Sequence, residues 1–104
     1  MVIVRGTTPT FVLTFTDVDL TEAVVHFVTI KQVTREVTLF DEDLDVTATT
    51  ITFSLTQNQT LAFEEGKAEM QADWVYADDT RGHSDIKPVT IDKNLYPREV
   101  RASE

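Results

Sequence analysis

The chain has 104 residues, 18 of them acidic and 9 basic, for a formal charge of -9. That length holds one small domain and not two, and the charge repels nucleic acid and anionic membrane, with no Lys/Arg run to offset it. The absence of cysteine excludes disulfides and thiolate metal sites.

The opening residues, Met1 to Gly6, lack the basic region, long apolar stretch and small-residue cleavage site of a secretory signal. No apolar run in the chain approaches the ~20 residues that cross a bilayer as a helix. Thr and Val dominate the composition, and β-branched residues favour strands over helices. The first clear strand is Thr10 to Thr16, where Phe11, Leu13 and Phe15 share one face and the even-numbered residues share the other. In Val24 to Gln32 the parity is mixed, which predicts either a strand covered on both faces or a bulge near His26. Alternation resumes at Val37 and Leu39, and at Ile51, Phe53 and Leu55.

Thr56 to Gly66 breaks the strand pattern. Thr56 followed three residues later by Gln59 is a capping box, and Gly66 suits a left-handed stop. The spacing predicts a short helix over 57–63, with Leu61 and Phe63 turned to the core. From Lys67 to Tyr76 the even-numbered residues Ala68, Met70, Ala72, Trp74 and Tyr76 form a core face opposite Lys67, Glu69, Gln71 and Asp73. Residues 78–85 read as a loop, and Val89 and Ile91 as a last strand, with Pro88 marking an edge. Residues 1–96 are expected to form one domain and 97–104 a flexible tail.

Evenly spaced strands predict an all-β, immunoglobulin-like β-sandwich of about seven strands with one short helix; a small barrel is the competing architecture. The expected core anchors are Phe11, Phe15, Phe53 and Trp74.

Chemistry is sparse. Asp41, Asp43 and Asp45, with Asp17 and Asp19 as candidates to join them in space, could supply carboxylates to calcium. The run lacks the glycine and distal glutamate of a calcium loop, so a solvated turn is the stronger reading. His83-Ser84-Asp85 holds the residue types of a hydrolase triad, but neighbours in an extended chain point to alternate sides. His26 is expected to be a partly buried, hydrogen-bonded strand histidine, since two distant histidines make a poor zinc site. Trp74 and Tyr76 could stack on a sugar if exposed, as a carbohydrate-binding or adhesion module requires, but their parity favours core packing. No catalytic residue, cofactor or resident metal is expected, and the chain is not expected to be an enzyme.

Four segments carry a resemblance when taken together. They are Val4-Arg5-Gly6-Thr7-Thr8-Pro9-Thr10-Phe11-Val12-Leu13-Thr14-Phe15; Asp19-Leu20-Thr21-Glu22-Ala23 leading to Val28-Thr29-Ile30-Lys31-Gln32; Leu55-Thr56-Gln57-Asn58-Gln59-Thr60-Leu61-Ala62-Phe63; and Met70-Gln71-Ala72-Asp73-Trp74. In this order, over roughly residues 3–95, the chain resembles the immunoglobulin-like N-terminal domain of siphophage upper-baseplate proteins and related prophage proteins. The resemblance implies a non-catalytic building block of a phage tail or baseplate. It would bind copies of itself or neighbouring tail proteins, with neither nucleic acid nor membrane as partner. Its expected place is the bacterial cytoplasm during assembly and then the virion tail. The upper-baseplate proteins continue past this domain, whereas this sequence ends at Glu104. With a charge of -9, an oligomer would need apolar contacts or cross-subunit pairs to Arg5, Lys31, Arg35 or Arg81.

Overall fold

Alternating apolar and hydroxylated residues commit most of the chain to strands, and the computed structural model, which describes residues 1–102, fixes their pairing. In chain order the strands are β1 (Val2–Val4), β2 (Thr10–Thr14), β3 (Ala23–Gln32), β4 (Arg35–Phe40), β5 (Asp45–Val46), β6 (Thr50–Ser54), β7 (Gly66–Tyr76), β8 (Arg81–His83) and β9 (Lys87–Asp92). A single α-helix among the described residues, α1 (Gln57–Leu61), joins β6 to β7. It is far too short to cross a membrane, and no other described helix is long and apolar enough to do so.

The larger sheet runs β1-β9-β7-β3-β4, and the smaller runs β2-β6-β5. β8 and β9 take successive stretches of the same side of β7, opposite Asp73–Val75 and Gly66–Met70, so they act as one interrupted strand. Pairing is antiparallel apart from β1 with β9. The chain changes sheets between β1 and β2, β2 and β3, β4 and β5, and β6 and β7, which is the immunoglobulin-type arrangement. The observed architecture is therefore the expected all-β sandwich with a short helix. The strands exceed the expected seven because the short β1, β5 and β8 carry little periodicity.

The core lies between the sheets. β2 and β6 contribute Leu13, Ile51 and Phe53; β3, β7 and β9 contribute Val28, Ile30, Met70, Trp74, Val89 and Ile91; Leu20, Leu55 and Phe63 close the ends. Of the four expected anchors, Phe53 and Trp74 are buried, at 2% and 6% exposure. Phe11 and Phe15 face inward but are only partly covered. The reason is topological: β2 is an edge strand, so the core thins out beside it. Phe63, Leu20 and Ile3 are buried more completely than either.

The mixed parity of β3 comes from a register shift between Ala23 and Val25. Val24 is pushed outward, and from His26 onward the even-numbered residues face the core. The helix starts where expected: the Thr56 hydroxyl accepts from the Gln59 amide at 3.2 Å, and the Thr56 amide donates to Gln59 Oε1 at 2.8 Å. It stops at Leu61, two residues early. Thr60 rather than Leu61 turns fully inward; its hydroxyl donates to the Thr7 carbonyl and accepts from the Gly6 amide, both at 2.9 Å. Gly66 does not end the helix but opens β7 with φ +139°.

Pro88 sits where β9 has only β7 beside it, since β1 pairs from Thr90 onward. Its missing amide therefore costs no ladder bond on the open side. The expected flexible tail, 97–104, extends past the described residues at Ser103 and Glu104. Within it, Val100 is pinned to α1, donating its amide to Gln57 Oε1 at 2.8 Å and accepting from Gln57 Nε2 at 2.6 Å.

Candidate functional site

The acidic run begins at the end of β4, where Asp41–Asp43 forms a single 3-10 turn. Asp41 is committed internally: its carboxylate accepts from the His26 backbone amide at 3.0 and 3.2 Å and lies 2.6 Å from His26 Nδ1. His26 Nε2 lies 2.6 Å from the Leu20 carbonyl. A carbonyl only accepts, so Nε2 is the donor in this contact. The buried imidazole thus ties β3 to the turns before and after it, which is the structural role expected for it.

Glu42, Asp43 and Asp45 border an open groove of about 370 Å3 beside Thr52 and Gln59. They do not converge with Asp41, and no group of three or more metal-ligating side chains forms among the described residues. Asp19, the other acidic candidate region, caps the 3-10 turn Leu20–Glu22 by accepting from the Thr21 amide at 3.0 Å.

His83, Ser84 and Asp85 are neighbours without triad geometry. Ser84 Oγ accepts from the Ala72 amide at 3.0 Å and donates to the Asp85 carbonyl at 2.9 Å. His83 Nδ1 faces the Ser84 carbonyl at 2.9 Å rather than the hydroxyl. Ser84 therefore replaces a backbone partner where β8 breaks from β9, and residues 78–85 are a hairpin with a short strand rather than a loop. Asp78 organises its turn, accepting from the Thr80 hydroxyl at 2.6 Å and the Thr80 amide at 3.1 Å; these bonds, the hydroxyl first, hold its carboxyl below the ordinary 3.8.

Trp74 offers no stacking face. It is buried edge-on against Phe15, with centroids 5.4 Å apart, and donates from Nε1 to Tyr76 Oη at 3.2 Å. Gly82 lies directly across from it in β8. Of the two aromatics that a carbohydrate-binding module would use, Trp74 is therefore buried and Tyr76 is partly buried against the core.

Two surface features escaped the sequence reading. On the outer face of the larger sheet, Asp73 is buried although its parity points outward. Arg81 covers it, donating from Nε and Nη2 to Oδ2 at 3.0 and 2.9 Å, and stacks over Phe27 at 5.0 Å. Phe27 in turn meets Phe40 of β4 at 5.4 Å. Only the cross-strand register brings these four residues together, so no linear motif announces them.

The second feature is β2. Its outward side chains Thr10, Val12 and Thr14 are exposed, and on the neighbouring strand they face Ser54, Thr52 and Thr50. No charged residue occurs from Thr7 to Thr16 or from Val46 to Phe63, so both strands are neutral in a strongly acidic chain. The ladder has a fixed phase: Phe15 donates to the Thr49 carbonyl at 2.7 Å and the Pro9 carbonyl accepts from Leu55 at 3.0 Å. Odd-numbered residues therefore bond β6, and Thr10, Val12 and Thr14 turn their amides and carbonyls to an open edge.

No protein-family model matches this chain, and neither does any curated protein or solved structure.

Proposed function

We propose that this chain is a non-catalytic assembly module of a phage or prophage tail or baseplate, made in the bacterial cytoplasm and acting through protein–protein contacts. The observation that carries the reading is the open β2 edge, a neutral strand presenting backbone donors and acceptors. Natural sheets usually guard such an edge with charge, proline or a bulge, and an unguarded one is a template for strand addition. The ordered resemblance of residues 3–95 supplies the biological setting. The test is compositional: tail particles purified after prophage induction should contain the chain by mass spectrometry, at a fixed ratio to tail proteins. Particles that lack it would refute the reading.

A further inference from the structure

We infer that the partner of the β2 edge is a second copy of this chain, paired antiparallel to it about a two-fold axis at Val12. The inference rests on the reading of the chain as a contact-making module and names what that edge contacts.

The backbone phase is self-complementary. Thr10, Val12 and Thr14 present the outward donors and acceptors, so antiparallel pairing of Thr10 with Thr14 of the second copy and Val12 with its own equivalent uses all of them. Two bonds per hydrogen-bonded pair make about six inter-chain bonds. Any shift of register along the edge leaves some of these groups idle. Side chains agree with that register: Thr meets Thr and Val meets Val on the outer face, which are favourable cross-strand pairs. On the inner face Phe11 would meet Leu13 of the copy, covering the ring that the single chain leaves partly exposed.

Electrostatics select the same edge. Two copies each carrying a charge of -9 repel, so they can approach only where carboxylates are absent. Among the described strands, β1 has three residues and runs into Arg5, β4 begins with Arg35 and Glu36, and β5 has two residues, including Asp45. Of the strands with an open edge, β2 alone is both neutral and five residues long, since the equally neutral β6 is covered on both sides. Two-fold pairing also closes the edge, because each β2 is used up by the other, and the remaining short or charged edges resist further growth.

The experiment uses the full chain, with sedimentation velocity run across concentration and salt. Wild type is expected to be a dimer in the micromolar range. Val12→Pro removes the central outward amide, and Val12→Lys puts two like-charged side chains on directly opposed residues at the axis, with Cα atoms about 5.5 Å apart. Both are expected to weaken the dimer by more than about tenfold, with the circular dichroism of a folded sheet. If the proline variant fails to fold, the lysine variant decides, since its side chain replaces one that is 60% exposed. Amide exchange gives an independent reading: Thr10, Val12 and Thr14 should become protected only as the dimer forms.

A wild-type monomer up to about 0.5 mM would overturn the inference, as would a dimer indifferent to Val12→Lys or protection of those amides in the monomer. Because these measurements use purified chain and the compositional test uses tail particles, either can fail without the other.

Discussion

Gly82→Ala should be among the most damaging single-atom additions in this domain. An ideal Cβ at position 82 would lie 2.3 Å from Trp74 Nε1, 2.7 Å from Cε2 and 3.1 Å from Cδ1. These are atoms of a rigid fused ring, so relief requires the whole indole to move. Trp74 is buried, packs edge-on against Phe15 and holds a bond to Tyr76 Oη, so movement disturbs the core and that bond together. Overpacking of a close-packed interior costs about 1–3 kcal/mol, and the displaced hydrogen bond adds about 1 kcal/mol. The expected loss is about 2–4 kcal/mol, read by urea unfolding, or roughly 10–25 °C in Tm. The clash can be isolated by a double-mutant cycle. In a Trp74→Leu background the same alanine should cost less than about 1 kcal/mol, because the indole is gone. A loss below about 1 kcal/mol in wild type, or equal losses in both backgrounds, would refute the close-approach argument.

Three further outcomes follow from the packing and the turns. Phe53→Ala should cost about 3–5 kcal/mol, whereas Phe11→Ala, at the thin side of the core, should cost about 1–2 kcal/mol; equal losses in urea titrations would contradict the burial difference. Asp41→Ala removes the acceptor of the His26 amide and should cost about 2–4 kcal/mol, while Asp41→Asn keeps an oxygen there and should cost clearly less; matching melting curves would argue against that bond. Thr80→Ala should raise the Asp78 carboxyl toward its ordinary 3.8, as read by NMR titration, because the hydroxyl bond is the main cause of its lowering. The sign is that of a depressed carboxylate: its stabilising contribution is full above the ordinary value and lost as pH falls through the lowered one, so the variant should lose that acid-side slope. An unmoved titration would place the cause elsewhere.

The residues that declared themselves in the sequence did so through local physics. The capping box of Thr56 and Gln59 and the even-odd face of β7 depend on neighbours a few residues apart, and both are present as read. The bulge in β3 was legible as broken parity, though its position at Val24 was not. What escaped depends on register between distant strands. Asp73 is buried because β8 brings Arg81 onto it, and Gly82 is a glycine because Trp74 lies across from it. Sequence spacing contains neither fact. The incomplete burial of Phe11 and Phe15 has the same origin, since periodicity reveals which face of a strand points inward but not whether another strand lies beside it.

The charge of -9 separates two modes of self-association by the sign of their salt dependence. If copies met through ion pairs to the sparse cations, added salt would screen the attraction and weaken the assembly. Of the four candidate cations Arg5, Lys31, Arg35 and Arg81, the structure has already engaged three within the chain: Arg35 with Glu64 at 2.9 Å, Arg81 with Asp73 at 2.9 Å, and Arg5 with the Leu61 carbonyl at 3.2 Å. Pairing through the neutral β2 edge leaves only the repulsion between acidic copies for salt to screen, while the backbone bonds at the edge are uncharged. Association should therefore tighten between about 0.05 and 0.5 M NaCl, as the Debye length falls below about 10 Å. Sedimentation equilibrium at fixed concentration reads the effect directly. Dissociation with rising salt would assign the contact to charged residues and remove the neutral edge as its basis.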